Sequence, residues 1–329
     1  NATGDIVVEG EYEVGMQDQA FLGTESGIAF PSSDGGVDLH ISTQWLHSDR
    51  DQVASALNLP EDLVRVTLAG VGGAFGGRED VSMHVHLCML AMHTGRPVKM
   101  VYDRNESFLG HVHRHPAKIW FRHYADTSGL LVKVEAKVIL DGGAYASTTS
   151  AVLANACCFS VGPYRVSNAL IEGWGVRTNN PPCGAMRGFG NVQTCFAAEA
   201  QMDKLANALS LDPVEFRLLN ALKTGDTLIT GQEITGTAPV KEVLTSLSGY
   251  PLPTGIRDDI LELPGGTGRT TDISHVKRGI GYAASIKNLM FSEGFDDFSE
   301  ARCIVSDGEV SIKSACVEVG QGFVTLVNQ

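Results

Sequence analysis

The chain has 329 residues, 43% of them hydrophobic, which is enough for a sizeable core and, as a soft prior, corresponds to two domains or to one large domain plus part of another. Its formal net charge of -13 argues against nonspecific binding to nucleic acid or to an anionic membrane, both of which would repel such a surface. No apolar run approaches ~20 residues, so no membrane span is expected, and seven cysteines without Cys-x-x-Cys spacing or a secretory signal suggest reduced thiols in the cytoplasm, with no internal iron–sulfur cluster or structural zinc.

Residues 5–14 alternate apolar and polar positions and read as a strand. Residues 37–44 read as a second, with Leu39 and Ile41 on one face and His40 and Ser42 on the other, and deliver Gln44 to a strand end. Ser48 or Asp49 can cap a short helix through Leu57, which Pro60 ends. Residues 63–68 alternate again and run into Val-Gly-Gly-Ala-Phe-Gly-Gly-Arg-Glu at 71–79. A helix over 81–93 follows, carrying Val85, Leu87, Met89 and Met92 and ended by Gly95 and Pro97. A strand that enters a glycine-rich turn and leaves as a helix brings backbone N–H groups close to an anion; the bland alternative is a tight, closely packed turn.

Residues 98–102 form a strand, and His111, His113 and His115 cluster in a loop before Pro116. Such a cluster can bind a metal, but histidines so spaced are more often capping and loop-packing groups. Residues 118–124 and 130–140 form a hairpin across Asp-Thr-Ser-Gly at 126–129, ending in Asp-Gly-Gly-Ala-Tyr at 141–145. The apolar run at 151–161 is broken by Asn155, and residues 163–177 are extended. After Asn-Asn-Pro-Pro-Cys-Gly at 179–184, Met-Arg-Gly-Phe-Gly at 186–190 leads directly into a helix over 192–209. Asp212 and Pro213 open a helix through Leu222, and Thr237 and Pro239 open another that Gly249 ends.

Residues 251–274 are rich in Gly, Pro, Thr and Asp and read as a linker. Strands are expected near 279–284, 301–305 and 310–317, then Glu-Val-Gly-Gln-Gly at 318–322 and an apolar pattern, Phe323, Val324, Leu326 and Val327, that starts a helix. The chain begins without methionine and stops inside that pattern, so a fragment of a longer protein is expected. Strands and helices run mixed, which suits an α+β class, mixed sheets with packed helices, better than regular βαβ winding.

Three glycine junctions, at 72–79, 185–190 and 318–322, occur in this order with Gln44 ahead of them. Together with Pro97, Arg114-His-Pro116 and Asp212-Pro213, the set resembles the molybdenum-binding part of the xanthine dehydrogenase and aldehyde oxidase family, and the runs at 77–83 and 141–145 resemble bacterial xanthine dehydrogenase molybdenum subunits more than the animal enzymes. The resemblance implies a hammerhead-like tail at 1–21, a first molybdenum-cofactor-binding domain at 22–250, a linker at 251–277 and the start of a second such domain at 278–329. It implies a molybdopterin whose molybdenum is held by the pterin dithiolene, with no protein side chain as ligand. Gly73, Phe75 and Gly76 would then give backbone contacts, since side chains would hold the backbone off a pterin. Gln44 would meet a molybdenum oxygen ligand, Arg187 the cofactor region, and Gln321 with Gly322 the pterin.

Phe189 would stack on a flat substrate, and Glu79 would hydrogen-bond its ring; Gln44 and Glu79 are thus the positions closest to the reaction. Glu79 has two bland alternatives, an ion pair with Arg78 or a place at the helix start. Asn155 stands nearest to an arginine of the animal purine enzymes, and a second stacking ring would be Met290 or Phe291. His84 and His86 read as packing groups. The implied activity is hydroxylation of a purine carbon, xanthine or hypoxanthine, with water as oxygen source. The alternatives are an aldehyde or another N-heterocycle, and, in another class, a noncatalytic assembly module. Iron–sulfur and flavin (FAD) groups would sit on other domains or subunits. The family's glutamate base has no motif in this chain, so the fragment alone is expected to be inactive.

Overall fold

The computed structural model describes residues 4–251, 279–289 and 298–329. In chain order the elements of the first part are Ile6–Val14 (β1), Ser26–Pro31 (β2), Val37–Ile41 (β3), Leu46–Leu57 (α1), Val64–Leu68 (β4), His84–Thr94 (α2), Val98–Val101 (β5) and Arg104–Gly110 (α3). Then come Ala117–Ala125 (β6), Leu131–Gly143 (β7), Thr149–Cys158 (α4), Asn168–Arg177 (β8), Asn191–Ala208 (α5), Pro213–Asn220 (α6) and Val240–Ser248 (α7). Ala301–Ser306 (β9), Glu309–Ser314 (β10) and Phe323–Asn328 (α8) complete the described elements.

Two four-stranded mixed sheets result. One has the order β1-β6-β7-β8, antiparallel except for the parallel β7–β8 pair. The other has the order β4-β3-β2-β5, antiparallel except for β3–β4. Each parallel pair requires a crossover, and the crossovers supply helices to cover the sheets. Ile119, Phe121, Val138 and Leu140 of the first sheet pack on Val152 and Ala156 of α4 and Ala197 of α5. Ala29, Leu39 and Ile41 of the second pack on Val53 of α1 and Leu87 and Ala91 of α2. Strands β9 and β10 form a separate antiparallel hairpin. The class is therefore α+β, mixed sheets with packed helices.

Some expectations needed correction. Helix α1 begins at Leu46 after Trp45, so Ser48 and Asp49 lie inside its first turn and no side chain caps it; Asn58, in the left-handed region, ends it. Asp49 is fully buried, its Oδ2 3.3 Å from His84 Nε2. Helix α2 starts at His84, not 81, and buries His84, Leu87, Cys88 and Ala91 while Met89 faces outward. Residues 279–284 form no strand. Strand β2 and helices α3 and α4 were not anticipated as elements, although Asp103 and Glu106 make a complete capping box on α3. The linker at 251–277 lies almost wholly outside the described residues, as do Met290 and Phe291. No helix among the described residues is long and apolar enough to cross a membrane.

Candidate functional site

The loop after β4 is held open by backbone contacts on both sides. Gly73 and Gly76 have positive φ, and so does Phe75 at 53°. Left-handed backbone at a non-glycine residue costs about 1–3 kcal/mol and persists only where its surroundings enforce it. Here the enforcing groups are visible. Arg78 donates from Nε to the Gly73 carbonyl at 2.9 Å and from Nη2 to the Gly23 carbonyl, with its guanidinium 4.2 Å from the Phe21 ring centroid. Gly23 in turn donates its N–H to Gly72 O at 3.0 Å. Gln44 donates its N–H to Arg78 O at 2.8 Å, and its side-chain oxygen accepts from Arg78 N at 3.3 Å.

The second glycine loop, before α5, packs directly against the first. Arg187 N–H donates to Phe75 O at 2.9 Å, and a Cβ on Gly76 would lie 2.7 Å from Ala185 O. Gln19 Nε2 donates to Ala185 O at 2.7 Å, and Arg114 Nη2 to Arg187 O at 2.7 Å. Phe189, also at positive φ, tops α5 and packs against the core of the first sheet. The third loop approaches too: a Cβ on Gly320 would come 3.9 Å from Gly73 N.

Between the first two loops lies a cavity of about 460 Å³. Phe75, Gly76, Glu79, Asn155, Arg187 and Phe189 all line it, drawn from three separate stretches of sequence. Glu79 is partly buried and its carboxylate has no hydrogen-bond partner among the described residues. Burial, with the nearby Asp80 carboxylate, pushes its pKa up to about 7. Both bland readings of Glu79 fail: Arg78 is turned towards Gly73 and Gly23, and α2 starts five residues later. Asp80 is also raised, chiefly by burial, although Ser147 donates to its Oδ2 at 2.8 Å.

Other expected residues sit elsewhere. Gln44 lies behind the first loop and is not among the groups lining this cavity. Gln321 is folded onto its own loop, with Oε1 accepting from Val319 N and Nε2 donating to Val317 O, both at 2.7 Å. Gly322 begins α8, whose first N–H groups turn to the Glu318 carboxylate. At least one ring nitrogen of each histidine meets a protein group: His111 Nδ1 lies 2.9 Å from Glu25 Oε1, His113 Nε2 2.9 Å from Phe108 O, and His115 Nε2 2.8 Å from Thr149 Oγ1. Among the described residues no group of three or more His, Cys, Asp or Glu could hold a metal ion.

Of the other lining groups, Ala185, Met186 and Gly188 belong to the second glycine junction, whereas Lys287 and Leu289 escaped the sequence reading. Lys287 Nζ lies 3.4 Å from Asn155 Oδ1 and 2.7 Å from Asn288 Oδ1. Nothing local in the sequence marks it, because its partner is 132 residues away.

Whether a pterin cofactor suits these residues can be judged from donors without acceptors. Phe75 N–H and Gly76 N–H donate to no protein acceptor among the described residues. The Nε and Nη1 atoms of Arg114, a residue only 5% exposed, are buried and unpartnered. Arg114 lines a second cavity of about 680 Å³ with Gln19, Phe75, Arg187 and Val192, on the same two loops. Buried donors of this kind are costly unless a ligand or water accepts from them. An oxygen-rich anionic cofactor fits that donor set.

Comparison with known proteins agrees. The molybdopterin cofactor-binding domain profile matches residues 2–221. A probable xanthine dehydrogenase subunit of Bacillus subtilis is 34% identical over 326 residues, 99% of this chain and 42% of that protein. The nicotinate dehydrogenase large molybdopterin subunit of Eubacterium barkeri is 40% identical over 240 residues, 73% of this chain and 56% of that protein. The chain thus spans about half the length of these relatives. The aldehyde oxidoreductase of Desulfovibrio gigas superposes with a TM-score of 0.71 at 28% identity, over 74% of this chain and 27% of that one. With two glycine loops locked together, unpartnered buried donors beside them and this match over most of its length, the chain belongs to the molybdopterin cofactor-binding domain family, within the xanthine oxidase and aldehyde oxidoreductase superfamily.

Proposed function

We propose that this chain is the cofactor-gripping and substrate-orienting part of a molybdenum hydroxylase that acts on a flat N-heterocycle, with a purine as the leading substrate class. The observation that carries the reading is Glu79: a carboxyl without a hydrogen-bond partner among the described residues, in the same cavity as Phe189. At a pKa of about 7 it both accepts from a ring N–H and donates to a ring nitrogen near neutral pH. An aldehyde offers no such ring atoms to it. Phe189, which lines the cavity, supplies a flat face against which a heterocycle packs.

When bound, a molybdopterin would supply the two-electron oxidation of a ring carbon with water as the oxygen source. Residues of this chain suited to hold it are the Phe75 and Gly76 amides, Arg114, Arg187 and Gln44, with Gly73, Gln321 and Gly322 on the neighbouring loops. Glu79 would fix which edge of the ring faces the reacting centre, and Phe75 and Phe189 would exclude water from it. Iron–sulfur and flavin partners would carry the electrons onward. The cytoplasm is the compartment this reading favours, with its reduced cysteines.

A second reading, an N-heterocycle other than a purine, has its own support. Asn155 is the position nearest to the arginine that the resemblance implies for the animal purine enzymes, and the relative at 40% identity is named for nicotinate. Glu79→Val in the intact, cofactor-loaded enzyme tests the proposal. Turnover of hypoxanthine is expected to fall far more than turnover of an aromatic aldehyde. An equal fall for both would remove Glu79 from substrate recognition.

A further inference from the structure

Lys287 has no assigned part in the reading above, yet it lines the same cavity as Glu79. It arrives on the segment at 279–289 that lies against the N-terminal end of α5, where Asn191 Nδ2 donates to Ser285 Oγ at 3.0 Å and to Ile286 O at 2.6 Å. Those two bonds set the position of the next residue, Lys287. Its Nζ then contacts Asn155 Oδ1 on α4 at 3.4 Å and Asn288 Oδ1 at 2.7 Å. Both are neutral amide oxygens, and Lys287 makes no ion pair with a carboxylate among the described residues. Partial burial holds its pKa below the usual lysine value.

The cavity is therefore polarised. A carboxyl stands at the Glu79 end and an amide-steered cation at the Asn155 end, with the Phe75 and Phe189 rings also in its lining. We propose that Lys287 is a specificity-determining residue that accepts an anionic exocyclic oxygen of the heterocyclic substrate, either a ring carboxylate or a deprotonated oxo group. The inference rests on the heterocycle-hydroxylase reading. A charge-assisted hydrogen bond made in place of water contacts is stronger than a neutral one, so the cation discriminates charged from neutral rings of the same shape. Asn155 acts as a positioning residue: its side-chain Nδ2 donates to Ala151 O at 3.1 Å, which aims its oxygen at Lys287.

The test uses the intact protein with its electron-carrying partners, as wild type, Lys287→Met and Lys287→Arg. Two matched pairs are compared: pyrazine-2-carboxylate with pyrazinamide, and xanthine with the less acidic hypoxanthine. Steady-state turnover is measured together with equilibrium binding by calorimetry. Lys287→Met is expected to weaken binding, and raise KM, for the anionic member of a pair by about ten- to hundredfold. The neutral member is expected to change less than about threefold, and Lys287→Arg to restore most of the loss. A loss confined to the first pair identifies a carboxylate; a loss confined to the second identifies an oxo group. Equal effects on charged and neutral members, or no effect on either, overturn the proposal. If the wild type hydroxylates no heterocycle at all, the functional reading fails, while the binding comparison still decides the role of Lys287.

Discussion

Phe75 and Arg187, 112 positions apart in sequence, are joined by a backbone hydrogen bond of 2.9 Å from Arg187 N–H to Phe75 O. This bond makes one wall of two glycine loops. Because each loop issues from a different sheet-and-helix layer, the shape of the cavity depends on how those layers are docked. Glycine is required where the loops touch, since any side chain there would separate them.

Gly76→Ala is expected to be destabilising. Its φ of 99° is strained for alanine, and the new Cβ would sit 2.7 Å from Ala185 O. A loss of about 1–3 kcal/mol should appear as a lower denaturant midpoint at unchanged slope. Gly225→Ala makes a suitable control, because it has a similar φ of 86° with open space around it.

Glu79 gives a pH dependence with a definite sign. Its pKa is raised on folding from the ordinary 4.5 to about 7, so in that interval the folded chain keeps a proton that the unfolded chain has released. Stability should therefore fall as pH rises through that window and level off above it. At about 1.4 kcal/mol per pH unit the Glu79 contribution over that window is at most roughly 3–4 kcal/mol. Asp80 is shifted in the same direction, so the informative quantity is the difference between wild type and Glu79→Gln, which should have the shallower slope. Urea denaturation at several pH values across this window measures it, and parallel slopes would remove Glu79 as the cause.

Arg217 is fully buried, donating from Nε to Glu199 Oε2 at 2.8 Å, with Asp203 Oδ1 2.8 Å from Nη1. Tyr164 donates to the other Glu199 oxygen at 2.7 Å. Removing one partner of a buried pair leaves the other charge uncompensated, so Arg217→Met should cost about 3–5 kcal/mol. Adding Glu199→Gln should recover part of that loss. Strict additivity in the double-mutant cycle would show that the two do not act as a unit.

Much of this was legible in the sequence where signals are local. The alternation at 5–14 became β1, the Asp212-Pro213 start became α6, and the two glycine junctions with their following helices were placed within a few residues. Helix α4 was not legible because its apolar run has no helical period to separate a buried face from an exposed one. Strand β2 is short, with Gly27 inside it and Pro31 at its end, and both blur a strand signal. Six of the expected site residues line one cavity, yet Lys287 could not be found, because tertiary docking alone brings it to Asn155. Nor could the sequence exclude the two bland fates of Glu79; where Arg78 points and where α2 begins remove them, and its role towards a substrate is part of the proposal.

The most direct test of the central claim is molybdenum and pterin analysis of the intact natural protein, in wild type and in Arg114→Met. The Nε and Nη1 of Arg114 are buried and unpartnered, Arg114 lines a cavity with residues of both locked loops, and an anionic cofactor is a group that suits them. Near-stoichiometric molybdenum with a pterin is expected in the wild type, and a clear loss of both in a variant that remains folded by circular dichroism. A folded wild-type protein that carries neither molybdenum nor pterin would contradict the claim.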